Sequence, residues 1–281
     1  ALFTVQQTHA GSYTVTDCLV VGDVEIRSNQ DLLDLKADVV NAACGPENAW
    51  SIEGGLDIRN TNDVVNLNAL AYLSEILGKT KTGFSKGYSL LLISNHNLTS
   101  VDGLGRLRGR LQGGLNVINN DELVELDGLQ GVDGVEGADD WGRSVVINNN
   151  QRLRSLHGLR GLRGPLGGSL TVENNDALAS FSGLDRLAGV GAKDNFGHSV
   201  YIEGNNPALC VSLADRKRLF GEPAFFDLLA DPGTVRVPAR FSRAREKRRW
   251  LLSPSDAADD LPRLNPGGRR TQTKPNKDTH R

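Results

Sequence analysis

Methionine is absent from the 281-residue chain, aromatic residues make up only 5% of it, and cysteine occurs three times. With no methionine there is no initiator, and no charged, apolar and small-residue succession of a signal peptide opens the sequence, so it reads as a fragment or a processed product. No apolar run approaches the length of a bilayer span, which places the chain outside the helical membrane class. Metal and redox signatures are missing too. His9, His96, His157, His198 and His280 share no metal-type spacing with one another or with a cysteine, and C-x-x-C does not occur. No phosphate-binding G-x-x-x-x-G-K-[ST] is present, and no cofactor is expected.

Glycine is plentiful, at 32 residues, and charge is unevenly placed behind a net value of −2. Residues 1–231 carry 19 basic and 29 acidic side chains, against 13 basic and 5 acidic in residues 232–281. The stretch from Pro232, with RFSRAREKRR at 240–249, has little to bury and reads as a disordered basic tail. Nucleic acid or anionic lipid enters as a partner only through this tail, and a solvated tail is the favoured reading.

What fills the rest is one phrase, repeated. GLNVINNDELVELDGL at 114–129, SVVINNNQRLRSLHGL at 144–159 and SLTVENNDALASFSGL at 169–184 are near copies. Weaker copies start at Asp23, Gly55, Ser89 and Ser199. A unit of about 25 to 34 residues marks a solenoid, here of about seven coils. Residues 90–144 and 145–199 align without a gap as 55-residue blocks, identical at 23 positions, so two coils were duplicated together.

Each coil starts a strand at Val24, Leu56, Leu90, Leu115, Val145, Leu170 or Val200, with a second inward residue two further on. Leucines at eight, eleven and fourteen residues, such as Leu123, Leu126 and Leu129, complete an interior that only stacking can close. Glycines such as Gly109, Gly113, Gly164 and Gly168 read as corners with positive φ. At position five stand Asn29, Asn95, Asn120, Asn150, Asn175 and Asn205, with Thr61 the exception. An amide that recurs once per coil can bond backbone groups at the bend and its own copies above and below, so these residues are expected to form a structural ladder.

Together the phrases CLVVGDVEIRSNQDLLDL at 18–35 and the recurring L-x-V-x-N-N-x-x-L-x-x-L-x-G-L resemble the receptor L domain. That module occurs in insulin and epidermal growth factor receptor ectodomains and, more loosely, in fungal GPI-anchored wall proteins. The resemblance covers residues 18 to about 213. It implies a right-handed parallel β-helix, extracellular or cell-surface display, binding through a sheet face or coil edge, and no catalysis. The chain departs from it where a basic tail follows in place of a cysteine-rich module. The expected organisation is a lead-in (1–17), a β-solenoid (18–213), a helical cap (214–231) and the tail (232–281). Two states of the cysteines remain open: a Cys18–Cys44 disulfide with Cys210 unpaired in an oxidising compartment, or three buried thiols in a reducing one. Asn97-Leu98-Thr99 is a glycosylation sequon.

Strand positions one and three point out of the core. In the middle coils they hold Leu91, Ile93, Asn116, Ile118, Val146 and Asn148, a largely apolar patch with charged or polar strands on either side. Such a patch fits a protein or glycan partner; the competing arrangement is a loop such as 78–89 folding over it. Trp141 and Phe196, in duplicate loops, are expected to cover coil edges. Asp139, Asp140 and Asp194 share those loops, which raises a second possibility, a carbohydrate-active β-helix enzyme with paired carboxylates. Loop glycines beside these aspartates favour plain surface loops, and recognition without catalysis is the preferred reading.

Overall fold

The computed structural model describes residues 13–81, 86–209, 211, 215, 218 and 219. Cys210, nearly all of the expected cap and the whole basic tail lie outside the described residues.

The chain opens with β1 (Thr14–Thr16), β2 (Leu19–Val21) and β3 (Val24–Ile26), followed by α1 (Asn29–Val39). Next come β4 (Trp50–Ile52), β5 (Leu56–Arg59), β6 (Leu73–Ile76), β7 (Tyr88–Ile93), β8 (Gly109–Leu111) and β9 (Gly114–Ile118). The rest are β10 (Val132–Val135), β11 (Arg143–Asn148), β12 (Gly164–Leu166), β13 (Ser169–Glu173), β14 (Leu187–Val190) and β15 (Val200–Glu203). Seven of these, β3, β5, β7, β9, β11, β13 and β15, lie side by side in one sheet, with about six turns of solenoid between them. All six pairings are parallel, and equivalent residues of the repeat face each other: Leu56 pairs with Leu90, Leu115 with Val145, and Leu170 with Val200. The pairing register is therefore the sequence repeat itself.

A second face, built of short strands, was not read from the sequence. β1, β2, β4 and β6 form one sheet, and β8 with β10 and β12 with β14 form parallel pairs. β1 runs antiparallel to β2, so residues 14–16 of the expected lead-in belong to the fold. Between the faces lies a single core in which Leu67, Val101, Leu126, Leu156 and Phe181 are at most 4% exposed, as the eleventh-position row requires. Each such side chain contributes about 1.5–3 kcal/mol on burial.

A third side is made of short helical turns at Asn68–Leu70, Asp102–Leu104, Asp127–Leu129 and His157–Leu159. Glycine is required there by close approach: a Cβ on Gly128 would stand 1.8 Å from the Val101 carbonyl of the coil before. Among the corner glycines, Gly109 and Gly164 have positive φ. Gly113 and Gly168 instead make room, each with a backbone carbonyl 2.4 Å from where a Cβ would stand.

The first coil breaks the pattern. Ser28 accepts a hydrogen bond from the Asp31 N–H and so caps α1, in which Leu32 and Leu35 are buried. Leucines three apart suit a helix as well as a solenoid corner, and the run DLLDLKADV has good helix formers where later coils have glycine. Cys18 and Cys44 are joined in a disulfide spanning 26 residues, a constraint on the unfolded chain worth about 3 kcal/mol.

Candidate recognition face

Backbone bends after each strand of the large sheet decide which side chains reach its outer face. Asn60, Ser94, Asn119, Asn149 and Asn174 all sit at φ between 54° and 57°, and Gly204 at 68°. This left-handed turn sends the next residue into the core. There the Thr61 hydroxyl donates to Asn95 Oδ1 at 2.9 Å. Asn95 Nδ2 donates to Asn120 Oδ1 at 3.1 Å, Asn120 to Asn150 at 3.3 Å, Asn150 to Asn175 at 3.2 Å and Asn175 to Asn205 at 2.9 Å. The same amides donate to strand carbonyls, as Asn150 Nδ2 does to Val117 O at 3.0 Å. Asn29 is the exception to the expected set. It is exposed at the first residue of α1 and stands outside the row, because the Ser28 cap turns the chain into a helix at that point.

On the outer face, position one is buried in the middle strands. Asp57, Leu91, Asn116, Val146 and Thr171 are at most 6% exposed. Leu91 and Val146, with Tyr88, are buried outside the interior core. The expected open patch is corrected accordingly: Leu91, Asn116 and Val146 are covered, while Ile93, Ile118 and Asn148 at position three remain half-exposed. Loops recur once every two coils, ahead of β7, β11 and β15, and the one ahead of β11 reaches the outer face of the sheet. Asn116 Nδ2 donates to Asp139 Oδ2 of such a loop at 3.3 Å. Asp139 is also held by Arg143 Nε at 2.9 Å. Burial pushes the Tyr88 hydroxyl pKa up, the Asp139 carboxylate pushes it further, and Arg143 works against both. Asn116 Oδ1 and Asn148 Oδ1 find no hydrogen-bond partner among the described residues.

The loops share one construction. Asp139 Oδ1 accepts from the N–H groups of Trp141 and Arg143, each at 2.9 Å. Asp194 Oδ1 repeats this with Phe196 at 2.9 Å and His198 at 2.8 Å. These two carboxylates close their own loops and are buried; Asp140 is exposed. Successive loops pack on one another: Gly87 lies against Asp139, and Gly142 lies against Asp194. Trp141 and Phe196 consequently stack, with ring centroids 5.8 Å apart and planes 9° apart. They do not seal a coil edge as the sequence suggested, since Trp141 is 49% and Phe196 62% exposed. Beside the pair, Lys86, Tyr88, Asp140, Trp141 and Asn195 line a cleft of about 280 Å³. The sequence signal for this site was available in the two duplicate D-x-aromatic-G turns, 55 residues apart.

Asn97 is exposed, with its amide donating to Asn62 O at 2.6 Å. On β13 and β15, Glu173 lies opposite Glu203; burial, and then the Glu203 charge, raise the Glu173 pKa. Among the described residues no group of three or more His, Cys, Asp or Glu side chains is placed to hold a metal ion, and no helix is long and apolar enough to cross a membrane.

Fold and face together define a β-solenoid with loops overhanging its large parallel sheet. The chain matches no family model, no curated protein and no solved structure.

Proposed function

We propose that the protein is a non-catalytic recognition module, displayed outside the cell, that holds a protein or glycan partner on the outer side of its large sheet. The observation that carries this reading is the stacked, solvent-exposed pair Trp141 and Phe196 on loops that overhang the sheet. Exposed aromatic residues fixed by their own backbone are typical anchors of binding surfaces. Half-exposed Ile93 and Ile118 extend the surface along the strands. The Cys18–Cys44 disulfide supports an oxidising compartment, and the exposed Asn97 sequon agrees with it. The resemblance to the receptor L domain, with its right-handed β-helix and surface display, points the same way.

Saturable binding without turnover is the expected behaviour. Purified chain incubated with soluble polysaccharides should release no new reducing ends while binding its partner, and Ile93→Asp with Ile118→Asp should weaken capture of a protein partner without lowering the melting temperature. Release of reducing ends that disappears in Asp140→Asn would overturn the reading in favour of a carbohydrate-active enzyme.

A further inference from the structure

Resting on the recognition reading above, the chemistry of the cleft narrows what it can hold. Two of its five lining residues are aromatic, the half-exposed Trp141 and the buried Tyr88. The rest of the lining is polar and of mixed type. Lys86 brings a cationic donor, Asp140 an anionic acceptor, and Asn195 an amide whose Nδ2 already donates to Asp140 O at 3.1 Å. That leaves Asn195 Oδ1 as an acceptor. One positive and one negative side chain cancel, so the cleft selects neither an anion such as phosphate nor a cation. An aliphatic peptide side chain would leave the three polar groups facing apolar surface and unpaired.

A pyranose ring meets each requirement. One face of it carries axial C–H groups that lose water favourably against an aromatic plane. Its rim carries hydroxyls, each able both to donate and to accept. Size agrees as well, because about 280 Å³ is at the lower end of small-ligand sites.

The backbone that carries the indole is also set in place before any ligand arrives. The Trp141 backbone N–H is held by Asp139 Oδ1 at 2.9 Å, and its backbone carbonyl accepts from Asn195 N at 2.8 Å. Phe196 stacks against the ring itself. Little conformational freedom is left to lose on binding. We infer that the cleft bordered by Lys86, Asp140 and Asn195 is a sugar-binding site, taking one pyranose ring of a neutral glycan against Trp141.

Affinity electrophoresis of the full chain through native gels containing a neutral glucan, mannan, galactan or xylan tests this directly. At least one gel should retard the protein. Trp141→Ala should weaken that interaction by about tenfold or more, corresponding to about 1.4 kcal/mol, while Trp141→Phe, which keeps a flat ring, should retain most of it. Asp140→Asn should weaken binding less than Trp141→Ala. Because Trp141 is half exposed, its variants should melt with the wild type, so a lost shift is not lost folding. The inference falls if no neutral polysaccharide retards the chain, or if Trp141→Ala is retarded like wild type. It also falls if only an anionic polysaccharide binds and salt abolishes the shift. If a protein partner is captured in a manner sensitive to Ile118→Asp while every glycan fails, the recognition reading stands and the sugar site does not.

Discussion

Asn119, Asn149 and Asn174 each stand one residue before a buried amide, with φ near 55° in every case. The paired asparagines of the repeat thus divide two tasks. The first takes a left-handed conformation that asparagine and glycine tolerate better than other residues; the second turns inward and bonds its copies. Recurrence alone exposed the inward one, because a residue fixed once per coil must stack. The outward one could not be read the same way, since Ser94 and Gly204 fill that position elsewhere and a dihedral angle leaves no periodic signature. The inward row makes a graded prediction. In Asn150→Ala the Asn120 N–H, which donates to Asn150 Oδ1 at 3.1 Å, is orphaned in a fully buried site. The loss should be about 3 kcal/mol. Asn205→Ala, at a half-buried end rung that water can reach, should cost about 1 kcal/mol. Denaturant melts of the two variants check this, and equal losses would contradict the ladder as the reason for the asparagines.

Among the elements, the large sheet was legible because Val, Ile or Leu recurs at the same two inward positions, two residues apart, in every copy. The second face was not. Its strands are three or four residues long, with sequences such as GRL, GPL and LAGV that show neither alternation nor β-branched enrichment. Backbone pairing with neighbouring coils makes them strands, and no local signal announces that. α1 escaped for the opposite reason, since its leucine spacing suits two structures and Ser28 decides between them. At the edge of the sheet, Glu173 and Glu203 face each other across β13 and β15. A carboxyl whose folded pKa is raised binds its proton more tightly when folded, so it destabilises the fold above that pKa and the penalty fades as pH falls towards the ordinary glutamate value of 4.5. Glu173→Gln should therefore melt higher than wild type at pH 7, with the difference shrinking as the pH approaches 4.5. Thermal melts across that range check the sign; a gap that widens in acid would refute it.

For the whole molecule, the spacing of Gly87, Gly142 and Gly197 shows that the unit of construction is the pair of coils, 55 residues long. The outer-face loops come once per pair and stack on each other, and the sequence placed them correctly in the chain but not in space. A loop drawn from the repeat alone has no reason to lie back over the sheet; that follows from contacts such as Asn116 with Asp139. Excising residues 145–199 removes one full pair and joins Ser144 to Val200, reproducing the native Ser199–Val200 junction. The shortened chain should remain folded, because each coil contacts only its neighbours. Its denaturant m-value should fall by roughly a quarter. Loss of cooperative unfolding or of the β-sheet circular dichroism would show that the pair is not an independent unit.

The antiparallel strand β1 lies at the edge of the second sheet, outside three strands that run parallel to one another. Next to it the large sheet begins with only three residues, of which Glu25 forms an ion pair with Arg27 at 3.0 Å. A stack of parallel rungs is otherwise a template on which a second molecule could continue the repeat, end upon end, into a filament. At the amino end an arriving chain would meet a strand of reversed direction and a short charged edge, neither of which continues the pattern. Thr14–Thr16 therefore closes the second sheet with a strand that does not continue the parallel repeat.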